Sequence, residues 1–206
     1  MKKTVDIVFA TNNKNKLTEL ERIFEKYISN SDRDIVLHTL SDIGFSGDIV
    51  EDGNSYKENA YIKASTVCKA TGMITIGDDS GLEVDFLGGK PGIYSARYAG
   101  DGSSASNRKK LLFELGDIPY EKRSASFRCC ICCCFPGGDT IYAEGKCDGY
   151  ILFEERGEKG FGYDSLFYYP PFKKSFAELN ENEKDEVSHR GVALKAFSEK
   201  ISTRFH

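Results

Sequence analysis

Apolar residues at positions 5–10 make a short β-prone run, and Leu17, Leu20, Phe24, Tyr27 and Ile28 follow at helical spacing. Between the two lies the polar segment Thr11-Asn12-Asn13-Lys14-Asn15-Lys16. The pattern predicts a strand, a polar turn and an amphipathic helix. A second helix is expected from Ser55 to about Ala70, because Ser55-Tyr56-Lys57-Glu58 reads as a capping box and Thr71-Gly72 as a stop. Residues 73–76 form a short β run that should end in the turn Gly77-Asp78-Asp79-Ser80-Gly81. Residues 87–97 are Gly-rich and irregular, and a short helix is expected over 107–115. Residues 124–135 and 140–150 read as strands joined by a hairpin at Pro136-Gly137-Gly138-Asp139. Ser175-Phe176-Ala177-Glu178 offers another capping box, and Ser188 should cap a last helix with Val192, Ala193, Ala196, Phe197 and Ile201 on its apolar side. Early alternation of helices and strands with a late hairpin indicates an α/β or α+β fold around a mixed sheet.

The length of 206 residues suits one large domain or two tightly joined lobes, with core enough to need no disulfide or metal staple. No internal repeat or long linker divides it. Mean hydropathy is −0.42 and no window nears the roughly 18 apolar residues of a spanning helix, so a membrane protein is not expected. The balance of 28 basic against 32 acidic residues, net −4, argues against a protein that coats nucleic acid through bulk charge. Residues 1–4 superficially resemble the start of a signal peptide, but the apolar stretch behind them is short and carries Asp6.

Five of the seven cysteines lie at Cys129, Cys130, Cys132, Cys133 and Cys134. Neighbours on a strand point to opposite faces, so these thiols cannot converge on one metal, and no His or paired C-x-x-C joins them. They are expected to act as small apolar residues of a buried strand. So many free thiols imply a reducing compartment, which places the protein in the cytoplasm.

Four features carry candidate chemistry. Lys14 and Lys16 flank a helix start whose first amides lack intrahelical partners, an arrangement that suits phosphate. The dipole contributes only about 0.3–1 kcal/mol, so the lysines must supply most of the attraction. The carboxylates of Glu51-Asp52 and Asp78-Asp79 repel one another unless a cation, a proton or hydrogen bonds relieve them, and Mg²⁺ is a natural partner for such oxygen ligands. Gly160-Phe161-Gly162-Tyr163-Asp164 leaves room for a flat ring to stack, and Lys184 with Ser188-His189-Arg190 groups donors able to hold a carbonyl oxygen or phosphate. Neither a Walker-type phosphate loop nor a Gly-x-Gly-x-x-Gly dinucleotide turn is present, and the HExxH and GxSxG motifs are absent too. What remains describes Mg²⁺-assisted chemistry on a nucleotide.

These residues resemble a family. Thr11 to Lys16, Glu51-Asp52-Gly53-Asn54-Ser55-Tyr56-Lys57-Glu58-Asn59-Ala60 with Lys63-Ala64, Asp78-Asp79-Ser80-Gly81-Leu82 with Pro91-Gly92-Ile93-Tyr94-Ser95-Ala96-Arg97, Phe161-Gly162-Tyr163-Asp164 and Ser188-His189-Arg190-Gly191 look like the inosine/xanthosine triphosphate pyrophosphatases, in the bacterial-type form. The motifs stand in the family's order over nearly the whole chain. The resemblance implies hydrolysis of nonstandard purine nucleoside triphosphates, such as ITP, dITP and XTP, to the monophosphate and pyrophosphate. It implies that Thr11, Asn12, Asn13, Lys14, Asn15 and Lys16 bind the triphosphate and that Glu51 and Asp79 hold Mg²⁺. Asp79 would be the proton acceptor and Ser80 would touch substrate, while Phe161, Gly162, Tyr163, Asp164, Lys184, His189 and Arg190 would bind base and sugar. The implied fold is an elongated mixed sheet with flanking helices, two lobes around a nucleotide cleft, in a single catalytic domain spanning residues 1–206 that assembles as a homodimer. Asn12 stands where many members have Gly, and Ser165 where Pro is common.

The reaction expected is attack of water on the α-phosphorus with pyrophosphate leaving, the charge offset by Mg²⁺, Lys14 and Lys16. Whether Asp78 shares the base role with Asp79 stays open at this level. A 6-keto purine should be preferred to ATP, because donors aimed at a carbonyl would be left unpaired by an amino group, which can cost about 10⁴–10⁵ in discrimination. A pyrimidine-directed sibling enzyme or a sensor that binds nucleotide without hydrolysis would share part of the pattern. The intact Glu51 and Asp79 argue against the sensor.

Overall fold

The computed structural model describes residues 4–28, 34–202 and 204. The signal-peptide-like start at residues 1–3 lies outside them. β1 (Thr4–Phe9) passes through the polar turn into α1 (Lys14–Ile28), as the periodicity requires. β2 (Asp34–Thr39) follows and pairs with β1 in parallel, Thr4 opposite Asp34. It is a short, half-exposed edge strand, announced in the sequence by no more than the three apolar residues Ile35-Val36-Leu37.

α2 (Tyr56–Thr71) starts at the Ser55 cap and stops at Gly72, which adopts the left-handed conformation. The cap is half of a capping box. Ser55 Oγ accepts from the Glu58 amide at 3.1 Å, but Glu58 reaches one residue further back and accepts from the Asn54 amide at 2.7 Å.

β3 (Ile74–Val84) departs from the expectation. The strand does not end at Gly77 but runs on through Asp78, Asp79, Ser80 and Gly81. Gly77 is needed for close approach instead of a turn: a Cβ there would lie 2.4 Å from the Ala60 carbonyl oxygen and 2.8 Å from the Ala64 amide nitrogen of α2. Two adjacent acids survive in a buried strand because neighbouring cations and an amide bond them, as described below.

α3 (Ser104–Leu115) begins three residues ahead of the expected helix, capped by Ser103. β4 (Ser124–Cys134) and β5 (Thr140–Ile151) form the expected hairpin, and the turn is closed by the Gly138 amide donating to the Phe135 carbonyl at 2.9 Å. The short strands β6 (Phe167–Tyr169) and β7 (Lys174–Ser175) add antiparallel pairing. The capping box at Ser175 and Glu178 is present, on a short 3-10 turn. α4 (Glu181–Val187) has its own box, made by Asn180 and Glu183. Ser188 sits in an extended conformation between α4 and α5 (His189–Ser202), its amide donating to the Lys184 carbonyl at 2.8 Å. In α5 Ala193, Leu194, Phe197 and Ile201 are buried, whereas Val192, expected on the apolar side, is exposed.

The strands are hydrogen-bonded in the order β2-β1-β3-β4-β5-β6-β7, a mixed seven-stranded sheet. The chain resolves into two compact units: Met1–Asp79, Cys129–Gly145 and Arg190–His206 form one, and Ser80–Arg128 with Lys146–His189 form the other. In the first, Ile7, Phe9, Leu20, Ile23, Phe24, Ile76 and Phe197 pack with Cys129, Ile131 and Cys133. The opposite face of β4 sends Cys130, Cys132 and Cys134 against Ala60, Ala64 and Cys68 of α2. The thiols are buried and free, acting as the small apolar residues expected of them. In the second unit Leu82, Val84, Leu111, Phe127, Phe167 and Phe176 form the core. Among the described residues no helix is long and apolar enough to cross a membrane.

Candidate active site

The turn after β1 organises itself by hydrogen bonds. Thr11 Oγ1 accepts from the Asn13 amide at 3.1 Å, and Asn13 Oδ1 accepts from the amides of Asn15 and Lys16 at 3.1 and 3.2 Å. Asn13 therefore caps α1, while Asn12, Lys14 and Asn15 are exposed. Lys16 turns inward, its Nζ 3.0 Å from Asp78 Oδ2.

Asp78 is the most enclosed acid of this unit, its side chain fully shielded. Arg190, at the start of α5, donates to the same Oδ2 at 3.3 Å and to Glu19 Oε2 at 2.5 Å. Burial alone would raise the Asp78 pKa. The charges of Lys16, Arg190 and Lys63 outweigh it and hold the carboxyl well below the usual carboxylate range. A carboxylate held there is a poor proton acceptor, so Asp78 serves as a fixed anion that orients Lys16 and Arg190.

Asp79, on the alternate face of β3, has different company. Lys63 Nζ donates to its Oδ1 at 3.1 Å and Asn59 Nδ2 to its Oδ2 at 3.2 Å. Burial raises its pKa, and the nearby Lys63 and Lys16 charges only partly offset this. A raised pKa is what a base working near neutral pH needs. Asn59 also ties the preceding loop to this acid, since its Oδ1 accepts from the Gly53 amide at 2.9 Å. Glu51, on that loop, lies 2.8 Å from the same Lys63 ammonium.

Glu51 and Asp79 thus converge on one cationic position. A set of carboxylate oxygens around a cation suits Mg²⁺, which often takes only one or two protein carboxylates and fills its shell with water and phosphate oxygens. The expected metal residues fit the ion.

The second unit builds a different feature. Asp164 Oδ2 accepts from the Phe161 amide at 2.8 Å and from Lys184 Nζ at 2.7 Å, and that ammonium stands 5.1 Å from the Phe161 ring centroid. Gly160, with φ +74°, has no room for a side chain, because a Cβ would lie 2.2 Å from Asp164 Oδ2. Arg108 donates to the Gly162 carbonyl at 2.9 Å, and the Tyr163 hydroxyl donates to the Ser95 carbonyl at 2.9 Å. His189 stacks on Phe127 with ring centroids 4.7 Å apart. The result is a loop held from several sides, with one aromatic face and a cation over it.

Of the expected residues, the structure brings Lys16, Glu51, Asp79 and Arg190 into one unit with Asp78, and Phe161, Asp164 and Lys184 into one cluster in the other. Ser80 follows Asp79 directly on β3. Sequence reasoning quoted Asn59 and Lys63 only as part of the family motif, without a role, and did not name Glu19 or Arg108. The spacing of Asn59 and Lys63, one helical turn apart on α2, was the available signal: a donor and a cation on one face, near acids that needed both.

A sequence profile of the Ham1 family matches residues 7–200. The chain belongs to the Ham1 family. A dITP/XTP pyrophosphatase of Bacillus licheniformis is 46% identical over 94% of this chain and 96% of its own. Among solved Ham1 structures, that of a HAM1 protein from Coxiella burnetii superposes with a TM-score of 0.85 at 36% identity, covering 97% of this chain and 99% of the other. A nucleoside-triphosphatase / dITP/XTP pyrophosphatase from Mycobacterium abscessus gives a TM-score of 0.75 at 40% identity, covering 94% and 97%. The expected fold class therefore holds, a mixed sheet with flanking helices in a Ham1 chain.

Proposed function

We propose that this chain hydrolyses nonstandard purine nucleoside triphosphates, ITP, dITP and XTP, to the monophosphate and pyrophosphate in a Mg²⁺-dependent reaction. The observation that carries the reading is the Asp79 carboxylate: buried, raised in pKa, and sharing a cation with Glu51. The dITP/XTP pyrophosphatase names of relatives that span the same length support it.

In this reading Asp79 accepts the proton of the water that attacks the α-phosphorus. Asn59 holds one carboxylate oxygen, which fixes the direction in which the other faces. The amides after Asn13 and the Lys14 and Lys16 ammonium groups receive the triphosphate, and Asp78 keeps Lys16 in place. Bound at Glu51 and Asp79, Mg²⁺ supplies neutralisation of phosphate charge. Phe161 gives a face for the base, and Lys184, positioned by Asp164, gives a donor suited to a 6-keto oxygen. His189 and Ser80 complete the substrate contacts. The two compact units act as one catalytic domain, a homodimer in the reducing cytoplasm.

The test is pyrophosphate release from ITP with and without Mg²⁺. Stoichiometric IMP and pyrophosphate with the metal, and none without it, are expected. Nucleotide binding with no release would replace the enzyme by a sensor.

A further inference from the structure

The two carboxylates read above as metal ligands already share a cation that belongs to the chain. Lys63 Nζ lies 2.8 Å from Glu51 Oε2 and 3.1 Å from Asp79 Oδ1. We propose that Lys63 is a built-in counter-cation of the metal position, and that a divalent ion enters only by exchanging with the Lys63 ammonium. The inference rests on Glu51 and Asp79 being the metal ligands, and adds a competitor for them.

An ammonium offers only donors, so both contacts use carboxylate lone pairs that a hard cation would also take. The two cations cannot hold the same oxygens together without strong repulsion. Without either one, a half-exposed and a shielded acid would face each other. The lysine therefore relieves the repulsion in the metal-free protein and lowers its affinity for metal in the same act.

The backbone cannot make the exchange. α2 is capped at Ser55 and Gly72, and its contact with β3 leaves no slack, since the Lys63 Cβ itself would lie 3.0 Å from a Cβ added at Gly77. The four-carbon stem of Lys63 must rotate alone. The position would thus change occupants while the fold stays still.

The probe is Mn²⁺ without nucleotide, its free concentration read by electron paramagnetic resonance. Lys63→Met should bind Mn²⁺ at least about tenfold more tightly than the parent, the scale of removing one adjacent charge. Lys63→Arg keeps the charge and should remain weak. Lys16→Met removes a charge bonded directly to Asp78 and to neither Glu51 nor Asp79, and should tighten binding clearly less than Lys63→Met. Equal tightening in the two methionine variants, or none in Lys63→Met, overturns the proposal and leaves the metal reading standing. Mn²⁺ affinity that ignores Glu51→Gln overturns both. If Lys63→Met does not fold, the parent protein decides: the ¹H–¹⁵N signal of the Lys63 ammonium should move as Mg²⁺ saturates, and a fixed signal at saturation refutes the exchange.

Discussion

Arg190 and Asp78 meet at 3.3 Å with both side chains almost wholly removed from water, so the start of α5 is tied electrostatically to the middle of β3. Lys16 completes the arrangement from α1. Removing the anion would leave two cations without their counter-charge, so Asp78→Ala should cost about 3–5 kcal/mol. Urea denaturation monitored by circular dichroism measures it. A loss within 0.5 kcal/mol would show that the network contributes nothing to stability, and Asp78→Asn, which keeps the shape, should fall between the two.

Asp79 has the opposite role, and its replacement should separate chemistry from folding. Asp79→Asn keeps an oxygen for the Asn59 contact but removes the carboxylate proposed as proton acceptor. Turnover of ITP should fall about 100-fold or more, while the melting temperature and nucleotide binding by calorimetry stay near those of the parent. Near-parental kcat would take Asp79 out of the reaction.

Specificity should follow the unpaired-donor rule. On the proposal that Lys184 donates to a 6-keto oxygen, kcat/KM for ITP and XTP should exceed that for ATP by at least about a hundredfold. Lys184→Met should shrink this ratio mainly by lowering the values for ITP and XTP. A substrate panel under identical Mg²⁺ concentration checks both statements, and equal rates for ITP and ATP would refute the assignment.

Gly77 makes a steric prediction. Gly77→Ala places a methyl group 2.4 Å from the Ala60 carbonyl, and α2 must move outward. A stability loss of about 1–3 kcal/mol is expected from overpacking. Because Asn59 and Lys63 ride on that helix, turnover should fall along with stability, even though Gly77 carries no side chain.

The thiols predict an alkaline limit. Burial pushes Cys129 and Cys147 up to about 12 and Cys130 up to about 11, against an ordinary value of 9.0. Between those pH values the unfolded chain has lost protons that the folded chain retains, so stability must fall as pH rises from about 9 toward 11–12. Cys129→Ala should flatten that slope in pH-dependent melting, and a slope unchanged by the substitution would assign the alkaline loss to other groups.

Much of this fold is legible because its helices carry their own punctuation. Ser55 and Gly72 mark ends that the structure reproduces, and the hairpin at 136–139 follows from its turn residues. β3 is not legible, since glycine followed by two acids has the composition of a turn. Only the approach of α2 and the partners Lys16, Arg190, Lys63 and Asn59, distant in sequence, make such a segment a buried strand. The acids themselves could be singled out locally. Their division of labour could not, because one is set by cations on α1 and α5 and the other by a helix turn on α2.

The cysteine face of β4 carries a last consequence. Cys130, Cys132 and Cys134 meet the alanines of α2 with side chains of small volume. They act as a spacer, thin enough for the helix to rest low over the sheet and for a lysine of ordinary length to span from it to two acids. A leucine at Cys132 would lengthen that span from beneath. The chemistry would then be detuned by thickness alone, from the strand beneath the helix.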